Sequence, residues 1–219
     1  MVSIKAMFRL ILCTLVIGMV ATVEGQSPPL LLQIVTERLR AGVEKDYGRI
    51  EGELRDACRR LGAPNRYLAL VSINPPTEVW WLNMYDSQAA VARVAEAYST
   101  NTTLLTALRE LSAKKHGMTE PPLDRMTKFR SDLSSADPWR IGELQYTVVR
   151  ELHTPAKSVG AVFQSPDGRA FVLIAASDRD NAEQQAERLG EGARIFEVQP
   201  KWSLPQETWV SLNPRLWSP

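Results

Sequence analysis

Apolar and polar positions along the chain follow two different periods. Residues Tyr67–Tyr85 form two apolar runs around a tight turn at 74–77, which predicts a β-hairpin. The second run, 79–85, is apolar on both alternating faces, a pattern typical of a strand that is covered on both sides. Before the hairpin, Val43–Leu61 repeats apolar residues at spacings of four and three, which predicts an amphipathic helix.

The flanking segments complete one repeating order in the first half of the chain. Leu30–Leu39 predicts a strand, and Asp86-Ser87 predicts the N-cap of a second helix that breaks near Asn101. A further strand is predicted at Leu123–Phe129. The predicted order is therefore β-α-β-β-α-β, the split βαβ arrangement.

The second half repeats this order without its first helix. A polar segment at 131–138 separates the halves and is typical of a linker. The strands predicted after it are 142–152, 159–163, 169–176 and 194–198, with a helix capped by Asp178 or Asp180 and ending at Leu189. The Trp- and Pro-rich tail to Pro219 is predicted to pack over a sheet.

The N-terminal residues have the pattern of a signal peptide. Lys5 and Arg9 precede an apolar run of about 14 residues, Leu10–Val23, shorter than the roughly 20 that a spanning helix needs. Small residues before Gln26 predict cleavage there, which indicates a secreted or periplasmic protein that leaves the membrane. An uncleaved anchor is the alternative.

Three segments follow from these patterns. Residues 1–25 are the predicted signal peptide, 26–135 the first ferredoxin-like half, and 136–219 the abridged second half with its tail. The net charge is +1 with acids and bases interspersed, so a nucleic-acid partner is not expected. After cleavage Cys58 is the one remaining cysteine, which precludes an intrachain disulfide. The sequence predicts no particular oligomeric state.

Three segments of the first half carry a family resemblance. They are the strand 31–38, Ala41-Gly42-Val43-Glu44 opening the first helix, and Val79-Trp80-Trp81-Leu82 followed by Tyr85-Asp86-Ser87. Over 30–133 the chain resembles the dimeric α/β-barrel superfamily, in its antibiotic biosynthesis monooxygenase-like group. The resemblance implies two ferredoxin-like sheets that face each other and close a barrel.

The predicted fold class is therefore α+β, with two tandem ferredoxin-like halves in one chain. The second, abridged half takes the place of a partner sheet. The halves are expected to form either a pseudo-dimeric α/β barrel or two packed sheets. The missing helix in the second half departs from the pattern of a symmetrical barrel.

Few residues indicate catalytic chemistry. His116 and His153 are the two histidines and lie far apart, so no metal site is predicted. No Gly-rich phosphate loop is present, and no cofactor is predicted. Haem-degrading members of the superfamily carry a histidine early in the second helix, and the matching stretch 88–98 has none. No catalytic residue is therefore predicted.

An aromatic group on the hairpin is the candidate ligand site. Trp80, Trp81 and Tyr85, with Arg38 at the end of the first strand, are candidates to line a pocket for a small apolar or aromatic molecule. The alternative is that the aromatic residues fill the space between sheet and helices.

Three functional hypotheses follow. The first is an exported, non-catalytic small-molecule-binding module. The second is a cofactor-independent monooxygenase-like enzyme acting on a small aromatic or polyketide-like compound. The third is a structural or interaction protein of the cell envelope, with the Trp-rich tail as contact surface. A cavity between the sheets would support the first two.

Overall fold

The computed structural model describes residues 26–218, and the predicted signal segment 1–25 lies outside them. The first half contains β1 (Leu31–Arg38), α1 (Glu44–Arg60), β2 (Tyr67–Ser72), β3 (Glu78–Tyr85), α2 (Gln88–Thr100), α3 (Thr102–Ala113) and β4 (Leu123–Phe129). The second half contains β5 (Tyr146–Leu152), β6 (Ala161–Gln164), β7 (Ala170–Ala176), α4 (Arg179–Leu189), β8 (Ala193–Val198), α5 (Glu207–Leu212) and α6 (Pro214–Trp217). Within this range no helix combines the length and apolarity that a membrane crossing requires.

Side-chain caps mark where α2, α3 and α4 begin. The Ser87 hydroxyl accepts a hydrogen bond from the Ala90 amide at 3.1 Å and starts α2. The Asn101 side chain accepts one from the Leu104 amide, also at 3.1 Å, and separates α2 from α3. Asp178, rather than Asp180, caps α4 through the Asn181 amide at 2.9 Å. The predicted break near Asn101 is confirmed.

All eight strands of the described chain close into one antiparallel barrel, in the order β1-β3-β2-β8-β5-β7-β6-β4. The first half supplies β4-β1-β3-β2 and the second half supplies β8-β5-β7-β6, the same order for equivalent strands. Two seams join the halves, where Leu70 pairs with Val198 and Phe129 with Phe163. The prediction of tandem ferredoxin-like halves in a pseudo-dimeric α/β barrel is confirmed, and the seams exclude separately packed sheets.

The two-sided apolarity of β3 follows from its place in this barrel. Trp80 and Leu82 belong to the interior cluster of the barrel. Val79 points outward and packs with Tyr47 of α1, and Trp81 borders the same outer cluster. Both faces of the strand are therefore covered, as its sequence pattern predicts.

The C-terminal tail packs in two places. Trp202 lies over the outer face of the first half, with its ring centroid 5.7 Å from that of Tyr47, as predicted, whereas the later part of the tail closes one end of the barrel. Trp209 is fully buried in the interior cluster, and its ring stacks on Trp217 with centroids 5.9 Å apart. Trp217 Nε1 donates a hydrogen bond to the carbonyl of Gly142 at 3.0 Å. The same Gly142 has a φ of 91°, and a Cβ there would lie 2.5 Å from the Trp209 ring. The strand predicted to start at 142 starts at Tyr146, because residues 142 and 143 form a turn.

The abridged second half is covered by a single main helix. Residues 153–160 join β5 to β6 without a helix, as predicted. Ala182 and Leu189 of α4 pack on the outer face of the second sheet against Val148 and Val172. The helices therefore cover the barrel unequally: α1, α2 and α3 pack on the first half, and α4 packs on the second.

Candidate functional site

The barrel end opposite the tail is open and holds a cavity of about 440 Å³. Its walls are the ends of strands that converge on this side from both halves. The residues that line it are Thr36, Glu37, Arg38, Glu78, Trp80, Glu120, Pro121, Leu123, Arg125, Val149, Glu151, Arg169, Phe171, Gly192, Arg194 and Phe196. We call this cavity and its lining the barrel mouth.

The floor of the barrel mouth is aromatic. Trp80 meets Phe171 edge to face, with ring centroids 6.0 Å apart, and packs against Phe196 with centroids 5.1 Å apart. Phe171 and Phe196 come from the second half and Trp80 from the first. The floor therefore exists only when the barrel has closed, and it offers apolar ring edges and faces to a bound molecule.

One wall of the barrel mouth is organised around the Glu78 carboxylate. It accepts hydrogen bonds from Trp80 Nε1 at 3.2 Å, from Arg38 at 3.0 Å and from Arg194. Burial raises the pKa of Glu78, but the Trp80 hydrogen bond, the Arg194 charge and the hydrogen bonds from Arg38 and Arg194 lower it more, so its pKa lies below its ordinary value. Glu78 therefore stays ionised and holds the two guanidinium groups and the indole in place.

The opposite wall carries a second ion pair and one guanidinium without a carboxylate partner. Arg169 pairs with Glu151 at 2.8 Å. Arg125 makes no ion pair or side-chain hydrogen bond with any residue in the described range 26–218, and its guanidinium lies 5.8 Å from the centre of the Phe171 ring. Arg194 lies in the same way over Phe196, at 5.3 Å. Both contacts fall within cation–π range.

The structure brings two of the four residues predicted for a pocket into the barrel mouth. Trp80 forms its floor and Arg38 its rim. Trp81 and Tyr85 belong to the opposite face of β3: Trp81 meets Tyr67 edge to face at 5.9 Å, and the Tyr85 hydroxyl lies 3.5 Å from Gln33 Oε1. Alternation along the strand explains this split, since neighbouring residues point to opposite faces.

Sequence reasoning missed the arginines from the other strands. Arg125, Arg169 and Arg194 stand near the starts of β4, β7 and β8, where each looks like an ordinary surface charge. Their shared feature is an inward position at one end of the barrel. That feature could have been found by combining strand alternation with the barrel order.

A second polar cluster lies outside the barrel, beneath α1. Lys115 Nζ donates hydrogen bonds to Glu37 at 3.1 Å and to Glu51 at 2.6 Å, and the Tyr47 hydroxyl donates to Glu37. Burial raises the pKa of Glu51 even though Lys115 opposes that shift. Burial lowers the pKa of Lys115, but the charges of Glu51 and Glu37 raise it more. The cluster is internally paired and ties α1 to β1 and to the turn after α3.

The cysteine and the potential metal ligands of the described chain do not form a further site. Cys58 is 5% exposed, and burial raises the pKa of its thiol. Among residues 26–218 no three His, Cys, Asp or Glu side chains group in a way that would hold a metal ion.

Comparisons with known proteins find similar solved structures of low sequence identity. No protein-family model and no curated protein matches it. Similar solved structures include a candidate monooxygenase from Fusobacterium nucleatum, 11% identical over 82% of this chain and 94% of that chain, with a TM-score of 0.47. A candidate monooxygenase from Lactobacillus acidophilus is 7% identical over 81% and 100% of the two chains, with a TM-score of 0.42.

A third similar structure covers half of the chain. It is a NIPSNAP family protein of unknown function from Agrobacterium tumefaciens, 15% identical over 48% of this chain and 93% of that chain, with a TM-score of 0.35. Similarity of this degree transfers no activity. What the barrel mouth can bind or do depends on the residues that line it in this chain.

Proposed function

We propose that this protein is an exported, non-catalytic module that binds one small organic molecule in the barrel mouth. The observation that supports this most is the cavity of about 440 Å³, which combines an aromatic floor with polar groups that converge from both halves. Small-molecule sites in proteins generally have this volume and this mixture of apolar walls and a few oriented polar groups.

The charged groups of the barrel mouth favour binding over turnover. Its described lining contains arginines and glutamates but no His, Cys or Tyr. General acid–base catalysis works best with a group whose pKa lies near the operating pH. The central carboxylate, Glu78, has a lowered pKa and is held by Arg38 and Arg194. Such a group fixes geometry and keeps its charge.

The proposed export rests on the sequence. Lys5, Arg9 and the apolar run 10–23 have the pattern of a signal peptide, with cleavage expected before Gln26. The carbonyl of Gln26 accepts a hydrogen bond from the Trp139 amide at 3.0 Å. A chain cut at this point keeps every strand of the barrel.

Native mass spectrometry of protein purified from its own exported fraction tests this proposal. We expect a chain that begins at Gln26 and carries one small molecule. Leu123→Trp places a bulky ring at the rim, where Leu123 is 52% exposed, and is expected to reduce this occupancy. Leu212→Trp is the matched control, because Leu212 is 50% exposed on α5 and lies outside the barrel mouth.

Each outcome bears on one part of the proposal. Occupancy that falls in Leu123→Trp but not in Leu212→Trp supports binding in the barrel mouth. Repeated absence of any bound molecule, or equal occupancy in both variants, would overturn it. A chain that retains residues 1–25 would overturn the cleavage step alone.

A further inference from the structure

We infer that the molecule bound in the barrel mouth is an organic anion, a carboxylate on an aromatic or other flat apolar body, and that Arg125 receives its charge. This inference rests on the proposed function, since it names the ligand class of the same site. It follows from how the charges of the barrel mouth are paired.

The carboxylates inside the barrel mouth already have cationic partners. Glu78 is held by Arg38 and Arg194, and Glu151 by Arg169. Glu120 at the rim lies 3.8 Å from Arg38. Glu37 also borders the cavity, but its carboxylate is bound by Lys115 and Tyr47 on the outer side of the sheet. No carboxylate of the described lining is therefore left to attract a cation.

The guanidinium of Arg125 is in the opposite situation. In the described part of the chain no carboxylate lies within ion-pair or hydrogen-bond distance of it, and the exposed Asp167, whose pKa its charge helps to lower, accepts hydrogen bonds instead from Ser165 and from the Arg169 amide. Arg125 stays partly buried over the Phe171 ring, 5.8 Å from the ring centre. A guanidinium binds a carboxylate through two parallel N–H···O hydrogen bonds, so an unpaired one beside a cavity is a ready anion site. Arg125 is therefore the guanidinium of the described lining that is left to receive a negative group.

The body of the ligand is indicated by what lies beside Arg125. Phe171 connects the guanidinium to the aromatic floor of Trp80 and Phe196. Leu123 extends the apolar surface to the rim and is 52% exposed. A flat apolar ring that lies on this floor would carry its acidic group toward Arg125. Simple inorganic anions would leave the floor unused and are expected to bind more weakly.

Isothermal titration calorimetry with 2-naphthoate and its neutral analogue 2-naphthamide separates charge from shape. Wild-type protein is expected to bind 2-naphthoate about tenfold or more tightly than 2-naphthamide, because a hydrogen bond to a charged group contributes more than a neutral one. Only the 2-naphthoate affinity should fall with added salt.

Substitutions locate the charge. Arg125→Gln is expected to reduce 2-naphthoate affinity to that of 2-naphthamide while leaving 2-naphthamide unchanged, and Arg125→Lys should retain part of the preference. Arg109→Gln, an exposed arginine on α3 outside the barrel mouth, is the control and should behave as wild type. Circular dichroism confirms that each variant is folded.

The failures of the two proposals can be told apart. Equal binding of both probes, or a preference that survives in Arg125→Gln, overturns the anion inference and leaves the binding function standing. If neither probe binds, the anion inference is overturned, and the mass measurement on the exported protein decides the binding function by itself.

Discussion

Arg194 of the second half donates a hydrogen bond to the Glu78 carboxylate of the first half inside the barrel mouth. Glu78 also accepts from Arg38 and Trp80, and its side chain is 10% exposed. One carboxylate thus connects β1, β3 and β8. The contact therefore holds the two halves together and also fixes one wall of the cavity.

Glu78→Gln is expected to lower the free energy of unfolding at neutral pH by about 1–3 kcal/mol, because two arginines lose a charged partner. The folded pKa of Glu78 lies below its ordinary value of 4.5. Its contribution is therefore present above pH 4.5 and is lost as the pH falls through the folded pKa. Urea denaturation at several pH values should show the two proteins converging in acid.

Glu120→Gln is the control for this prediction. Glu120 is 56% exposed and lies 3.8 Å from Arg38, so its removal should leave stability close to wild type. A constant difference between wild type and Glu78→Gln across the acid range would contradict the role given to the Glu78 charge.

Lys115→Met is expected to destabilise the protein by about 3–5 kcal/mol, because it leaves the buried Glu51 and Glu37 carboxylates without their cation. Lys115 is 15% exposed, whereas its neighbour Lys114 is 51% exposed and pairs with Glu53 at the surface. Lys114→Met should therefore stay near wild type. Thermal denaturation of the Lys115→Met and Lys114→Met variants checks the prediction. Equal losses of stability in the two variants would contradict it.

The pH dependence of Lys115→Met has a definite sign. The folded pKa of Glu51 is raised above its ordinary value of 4.5, and loss of Lys115 removes the interaction that opposes the shift. Between pH 4.5 and the folded pKa, Glu51 is more protonated in the folded state than in the unfolded state. The stability of Lys115→Met therefore rises as the pH falls through this range. The deficit of Lys115→Met should therefore shrink on mild acidification, and a deficit that grows would contradict this account.

Two glycines four residues apart on α1 are predicted to respond in opposite directions. A Cβ at Gly48 would lie 2.8 Å from the Trp202 ring, whereas a Cβ at Gly52 would meet nothing within 4 Å. Gly48→Ala should cost about 1–3 kcal/mol through overpacking. Gly52→Ala should gain up to about 1 kcal/mol from helix propensity. Denaturant midpoints measure both, and a stabilising Gly48→Ala would contradict the close packing.

Gly142→Ala tests how the tail closes the barrel. Gly142 and Gly168 have φ values of 91° and 90°, but only a Cβ at Gly142 would meet the Trp209 ring, at 2.5 Å. Both alanine variants carry the backbone cost, about 1–2 kcal/mol. Gly142→Ala should cost clearly more and should change the near-UV circular dichroism of the tryptophans. Equal costs would show that Trp209 does not depend on this glycine.

The sequence predicted the elements and their order because local signals specify them. The caps at Ser87 and Asp178 and the apolar stripe of α1 are properties of short segments. The resemblance of 30–133 to a barrel superfamily supplied the closure of the two halves, which the structure confirms.

The candidate site was less accessible to sequence reasoning. Arg125, Arg169 and Phe171 come from strands of both halves and meet only through the barrel order. Trp80 and Trp81 are adjacent in sequence yet lie on opposite faces of β3. The composition of the tail predicts packing over a sheet, which holds for Trp202, but nothing in it indicates that Trp209 enters the end of a barrel.

A crystal structure of the protein with 2-naphthoate tests the central claim most directly. The account predicts the naphthalene ring on the floor formed by Trp80, Phe171 and Phe196, with its carboxylate within hydrogen-bonding distance of Arg125. A ring bound elsewhere, such as between the first sheet and α1, or a barrel mouth without the compound at saturating concentration, would contradict it.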